Sequence, residues 1–188
     1  IYFLVDFVKG PTPESRAAMR RYICENRSKI RLAPAHKSLM RARPVGKHFD
    51  LRRIADHLNR LYFGGRLQFE ISWGRRPAQP PRDLHHIQLG NYSERQRLIR
   101  IHPILDGPLV PKYYIAYIIY HEMAHIVVPP EVDERGRVCH HTKKFHALER
   151  KYADYDRAVK WQAQRLGDLA TFYCSRPKRR AYRQLTLF

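Results

Sequence analysis

The sequence predicts an α+β domain, and three observations carry that expectation. Tyr113 to Val128 is an apolar stretch of helical length that contains the pattern His-Glu-x-x-His. Upstream, Leu51, Ile54, Leu58 and Leu61 recur at steps of 3, 4 and 3 residues, the spacing of one helix face. Between these helices lie short segments of strand character, among them Leu67, Phe69, Ile71 and Trp73 alternating with polar neighbours. Helix, small sheet, apolar helix, loop and helix follow one another without a repeating βα alternation. The expected architecture is a small antiparallel or mixed sheet packed on the apolar helix, with a long C-terminal helix.

Taken in order, residues 1–10 read as a short strand or a leader. Pro11 and Pro13 punctuate, and Thr12 or Glu14 opens a helical stretch to about Ile30. Lys and Arg crowd the segment from Arg20 to Lys47, so 1–45 is expected to be a basic extension, 46–174 the domain, and 175–188 a basic tail. Asp50 suits the N-cap of the first domain helix, and Gly64-Gly65 suits its end. Leu67 to Trp73 reads as a strand. His86 to Leu89 and Leu98 to Ile101 read as two more, joined through Gly90-Asn91-Tyr92-Ser93, with Pro80 to Asp83 as a loop. Pro111 suits the first turn of the apolar helix. Pro129-Pro130 ends that helix, residues 131–140 read as a polar loop, and Thr142 is placed to cap one long final helix bearing Phe145, Leu148, Tyr152, Tyr155, Val159 and Leu166.

The chemistry sits in the apolar helix. At 3.6 residues per turn His121 and His125 share one face, with Cβ atoms about 6 Å apart. Two imidazoles so placed can reach one tetrahedral Zn2+, and Glu122 can reach a water on it. An ordinary core helix would have to bury these ionisable groups without partners, which is costly. A third ligand is needed, and the candidates downstream are Glu131, Glu134, Cys139, His140, His141, His146 and Glu149. His140 and His141, just before Thr142, fit a loop that returns to the metal helix, and spacing alone leaves the two nearly even. Glu149 suits either a ligand or a group that orients a ligand histidine.

Composition narrows the partners. Lys and Arg number 36 against 17 Asp and Glu, a net charge of +19 with pI near 10.3. Such a surplus predicts attraction to polyanions, with nucleic acid first and anionic membrane surfaces second. Cys24, Cys139 and Cys174 are odd in number and form no Cys-x-x-Cys pair, which argues against a disulfide framework and a zinc ribbon. No apolar run long enough to span a membrane occurs, and Ile1 to Val8 lacks the basic start and cleavage site of a signal peptide. The chain opens at Ile1 without an initiator methionine, as a truncated or trimmed chain would. A cytoplasmic location is expected.

Leu58 to Leu67 with Ile71 to Arg76, His121 to His125, and His141-Thr142-Lys143-Lys144-Phe145 together resemble the SprT-like metallopeptidase family. The resemblance spans roughly 48–155, in the family's order. It implies a zincin-type fold, a Zn2+-dependent peptidase and a third ligand four residues before an aromatic, a relation to Phe145 that only His141 has. It also implies Glu122 as the catalytic base. The best-understood relative, the Spartan protease, cleaves proteins crosslinked to DNA, so the expected substrates are proteins or peptides, with DNA-associated proteins one class among them. Many SprT-like proteins carry a C-terminal four-cysteine ribbon, and only Cys174 stands there here. Any DNA contact is therefore expected from basic side chains such as Arg75, Arg76, Lys178, Arg179 and Arg180. The rival readings are a nucleic-acid-binding module with a structural zinc, and a latent peptidase blocked by its extensions. A deformylase or a closely spaced three-His RNA-processing enzyme fits less well, because the upstream Cys ligand is missing and His141 follows His125 by 16 residues.

Overall fold

In the computed structural model, which describes residues 12–26, 42–75, 88–133 and 137–175, Asp50 starts the first domain helix as its spacing predicts. The Asp50 carboxylate accepts the N–H groups of Arg52 and Arg53 at the open end of Leu51–Phe63. Gly64 closes it at φ 61°, a left-handed conformation that costs glycine little. The buried face is Leu51, Ile54, Ala55, Leu58 and Phe63, whereas Leu61 is 63% exposed and lies off the stripe expected to hold it.

The elements in chain order are α1 (Pro13–Glu25), α2 (Leu51–Phe63), β1 (Glu70–Trp73), β2 (Gly90–Ser93), β3 (Leu98–Ile101), α3 (Lys112–Val127), β4 (Glu131–Val132), β5 (Val138–Cys139), α4 (Lys143–Glu149) and α5 (Tyr155–Ser175). The architecture is α+β. The three-stranded sheet is mixed, in the order β1-β3-β2, with β1 parallel and β2 antiparallel to β3. Ile71, Ile99 and Ile101 of the sheet share one core with Leu51, Ile54 and Leu58 of α2 and with Tyr114, Ile115, Ile119 and Met123 of α3. Among the described residues no helix is long and apolar enough to cross a membrane.

Four departures from the expected elements have local causes. Leu67 does not enter β1, because the Asn59 side chain binds both its backbone groups, donating to the carbonyl at 2.9 Å and accepting the N–H at 3.2 Å. The second strand is Gly90–Ser93, the stretch expected to be a turn. The turn falls instead at residues 94–97, where Arg97 adopts φ 47°, and this lets Gly90 pair with Ile101 and Ser93 with Leu98. Gln88 and Leu89 lie outside that strand, while His86, Ile87 and Pro80 to Asp83 fall outside the described residues. The polar loop after Pro130 contains a small hairpin, β4 with β5, closed by Asp133 accepting from the backbone and guanidinium of Arg137. The single long final helix is two. At the break the Leu148 carbonyl accepts both Lys151 N–H and the Tyr120 hydroxyl, and Tyr152 N–H turns back to Glu149. Tyr152 is buried in the turn between the two, and the new helix then buries Ala158 near its start and exposes Val159.

Ahead of α2, residues 42–50 run back along the sheet. Arg43 exchanges hydrogen bonds with Ser72 Oγ and Trp73 N–H, and Asp106 collects the backbone N–H groups of Lys47, His48 and Phe49 at 2.6, 2.8 and 3.3 Å. Helix α1 lies beside β4. The expected strand or leader over 1–10, most of the basic segment between 27 and 41, and the tail from 176 are outside the described residues.

Removing the Asp106 carboxylate leaves three backbone donors without their acceptor. Asp106→Ala is expected to lower urea stability by about 2 kcal/mol, while Leu61→Ala stays within about 0.5 kcal/mol. Equilibrium denaturation of the two variants side by side checks the pair.

Candidate metal centre

Helix α3 begins at Pro111, whose carbonyl accepts Tyr114 and Ile115 N–H at 3.0 and 3.3 Å, and ends before Pro129-Pro130. It is buried on nearly every side. Its polar groups therefore have to be satisfied by the elements packed around it. His121 and His125, one turn apart, face the same space. The third imidazole arrives from the far side of the hairpin: Thr142 Oγ1 caps α4 by accepting Phe145 N–H at 3.3 Å, which fixes His141 just outside that helix.

The Nε2 atom of His141 lies 3.2 Å from Nε2 of His121 and 3.3 Å from Nε2 of His125. One ligand atom from each ring falls within 4.8 Å of the others, so the three histidines are positioned to hold a metal ion. Phe145, itself fully buried, supports all three rings, with centroids 4.5 Å from His125, 4.8 Å from His141 and 4.9 Å from His121. Burial and the neighbouring imidazoles push His125 down to about 4, and burial also lowers His141. Both rings are thus neutral at pH 7, the form that binds metal.

Glu149, 4% exposed, stands behind His121. Its Oε1 accepts from His121 Nδ1 at 2.7 Å and from the Tyr117 hydroxyl at 2.8 Å, and its Oε2 meets His146 Nδ1 at 3.2 Å. Burial opposes the charge on this carboxyl, but the bonds from His121 and Tyr117 outweigh it and hold the group down at about 2. An ionised Glu149 makes His121 carry its proton on Nδ1 and leaves Nε2 free to bind.

Glu122 points the other way, toward β2. It is 5% exposed, and burial raises it to about 7 against the opposing pull of His121 and a hydrogen bond from Tyr92 N–H. Its carboxylate occupies the space a side chain at position 90 would need: a Cβ on Gly90 would stand 2.8 Å from Glu122 Cγ and closer still to Oε1. Gly90 is therefore a close-approach glycine rather than the turn residue the sequence suggests. A cleft of about 810 Å³ runs past His121, Glu122, His125 and His141, walled by Asn91, Tyr92, Tyr117, Ile118 and Gln162.

The other candidate ligands go elsewhere. His140 borders the cleft, its ring 6.4 Å from that of His125, but is not one of the converging three. Glu131 pairs with Lys144, Cys139 is exposed and free, His146 binds Glu149, and Glu134 is outside the described residues. Arg75 borders a separate cavity of about 280 Å³ with Ser72, Trp73 and Arg100. Arg76, Lys178, Arg179 and Arg180 are outside the described residues. Sequence reasoning missed Tyr117 and Gly90. The first was within reach, because position 117 precedes His121 by one helical turn.

No protein-family model matches the chain, and neither do curated proteins or solved structures.

The geometry separates two adjacent histidines. His141→Ala is expected to abolish stoichiometric metal binding, whereas His140→Ala keeps about one ion per chain. Titration of the metal-free variants with zinc or cobalt gives the comparison.

Proposed function

We propose that the chain is a zinc-dependent metallopeptidase with a zincin-like domain, in which His121, His125 and His141 hold Zn2+ and Glu122 is the general base. The observation that carries the reading is the spacing of the imidazole nitrogens. Ligands about 2.0–2.1 Å from a tetrahedral zinc stand about 3.3–3.4 Å from one another, close to the 3.2 and 3.3 Å from His141 to its two partners. Three imidazole nitrogen donors suit zinc. Among the described residues no fourth protein ligand joins them. That favours a catalytic site over the closed, structural one that a plain nucleic-acid-binding module would hold.

Zinc, when bound, supplies a Lewis acid that polarises a carbonyl and makes water a nucleophile near neutral pH. The chain's own groups do the rest. Glu122 lies one residue beyond His121, and its carboxyl, raised to about 7, is matched to taking a proton from water and returning it to a leaving amine. Gly90 and Tyr92 N–H hold that carboxylate against the rim of the cleft. Glu149 keeps His121 in the binding tautomer.

The substrate class we infer is unstructured protein, with proteins gathered on nucleic acid foremost. The support is the net charge of +19, which concentrates polyanions and whatever they carry at the surface. Among the described residues α1 lies beside β4 and does not line the cleft, so the latent reading gains nothing from this helix.

Cleavage of a basic, unstructured protein, with and without single-stranded DNA, tests the proposal. Glu122→Gln is expected to keep its zinc and lose about 10²- to 10⁴-fold in rate, and chelation of the wild type is expected to abolish cleavage. A Glu122→Gln chain as active as wild type would refute the peptidase assignment. Cleavage indifferent to DNA would remove nucleic acid from the substrate reading.

A further inference from the structure

The polar groups behind the three histidines are more closely arranged than holding an ion alone requires, and Tyr117 is the one with no role so far. It stands on α3 one turn before His121, and the two rings meet edge to face at 6.4 Å. Its ring is held by Tyr114, Tyr152 and Tyr155, with centroids 6.3, 5.9 and 5.9 Å away, so the hydroxyl has little freedom to move. That hydroxyl is 2.8 Å from Glu149 Oε1, the same oxygen that His121 Nδ1 meets at 2.7 Å.

We infer that Tyr117 is a positioning residue of the metal centre, acting through Glu149 to hold the imidazole of His121 with Nε2 aimed into the site. This rests on reading the three histidines as the metal centre. A glutamate side chain has three rotatable bonds, and one contact to an imidazole would leave the carboxylate free to swing with it. Three contacts, two on Oε1 and one on Oε2, fix it. Of the two supports other than His121, His146 is half exposed at its side chain and makes the longer bond, 3.2 Å, while Tyr117 is buried and makes the shorter. The buried hydroxyl has one proton, and its only acceptor at hydrogen-bond distance among the described contacts is Glu149 Oε1, 2.8 Å away. Tyr117 therefore donates, and the bond between Glu149 and His121 is left to the Nδ1 proton of the histidine. The phenol thus helps set both the direction and the tautomer of a ligand it does not touch as a donor.

Tyr117→Phe tests this, because it removes the hydroxyl and keeps the ring that the aromatic cluster packs. Zinc affinity by chelator competition and the visible spectrum of the cobalt-loaded chain are compared for wild type, Tyr117→Phe, Glu149→Gln and the double variant. The expected result is zinc affinity lower by about 10-fold in Tyr117→Phe, a shifted cobalt spectrum, and no further loss on adding Tyr117→Phe to Glu149→Gln. Wild-type affinity and spectrum in Tyr117→Phe would overturn the inference, as would losses that add in the double variant. A wild-type chain that binds neither ion would overturn it together with the metal reading. A wild type that binds zinc but cleaves nothing would sink the peptidase reading alone, and the affinity comparison would still decide the role of Tyr117.

Discussion

Everything near the site follows from one constraint: α3 is apolar enough to be the middle of the core, yet it carries His121, Glu122 and His125. A buried helix cannot leave such groups to water. The surrounding elements answer separately. Helix α4 brings Glu149 to the back of His121 and His141 to the front, while β2 brings the Tyr92 N–H to Glu122. The hydroxyls of α3 are settled in the same way, Tyr120 on the Leu148 carbonyl and Tyr114 on Gln162. The same contacts that dispose of these polar groups lock α4 and α5 onto α3.

Two carboxyl groups on opposite sides of His121 show how environment divides labour. Both are almost fully buried, yet Glu149 is held at about 2 and Glu122 is raised to about 7. The difference lies in hydrogen-bond donors. Glu149 accepts from His121, Tyr117 and His146, whereas Glu122 has only the pull of His121 and one backbone N–H to set against its burial. The same side chain is thus held ionised on one side of His121 and pushed toward its neutral form on the other.

The parts of this that could be read in the sequence are those written in local period and caps. Asp50, the helical spacing after it, Gly64, the helix bearing His121 and the Thr142 cap all depend on neighbours within a turn or two. The parts that could not be read depend on contacts between residues distant in the chain. Asn59 withholds Leu67 from β1, and the Tyr120 hydroxyl takes the Leu148 carbonyl where the final helix breaks. Gly-Asn-Tyr-Ser reads as a turn on composition but pairs as a strand, since the reversal occurs at Arg97 instead. At the site, residue spacing left His140 and His141 even, and the resemblance preferred His141, the one whose Nε2 converges with those of His121 and His125. The clamp on Glu149 is a tertiary arrangement, and spacing alone could suggest its helix but not its partners.

The small helix α4 delivers both the third imidazole, at its cap, and the aromatic floor under all three rings. Ligand and floor are therefore one rigid piece, seven helical residues and a cap, docked on α3 by Phe145 and Glu149. The segment from Val128 to His140 only has to return the chain to Thr142. The 16-residue step from His125 to His141 is thus no requirement of the chemistry. Changes at Pro130, Val138 or His140, which line the cleft from this segment, would give it a different wall around an unchanged centre.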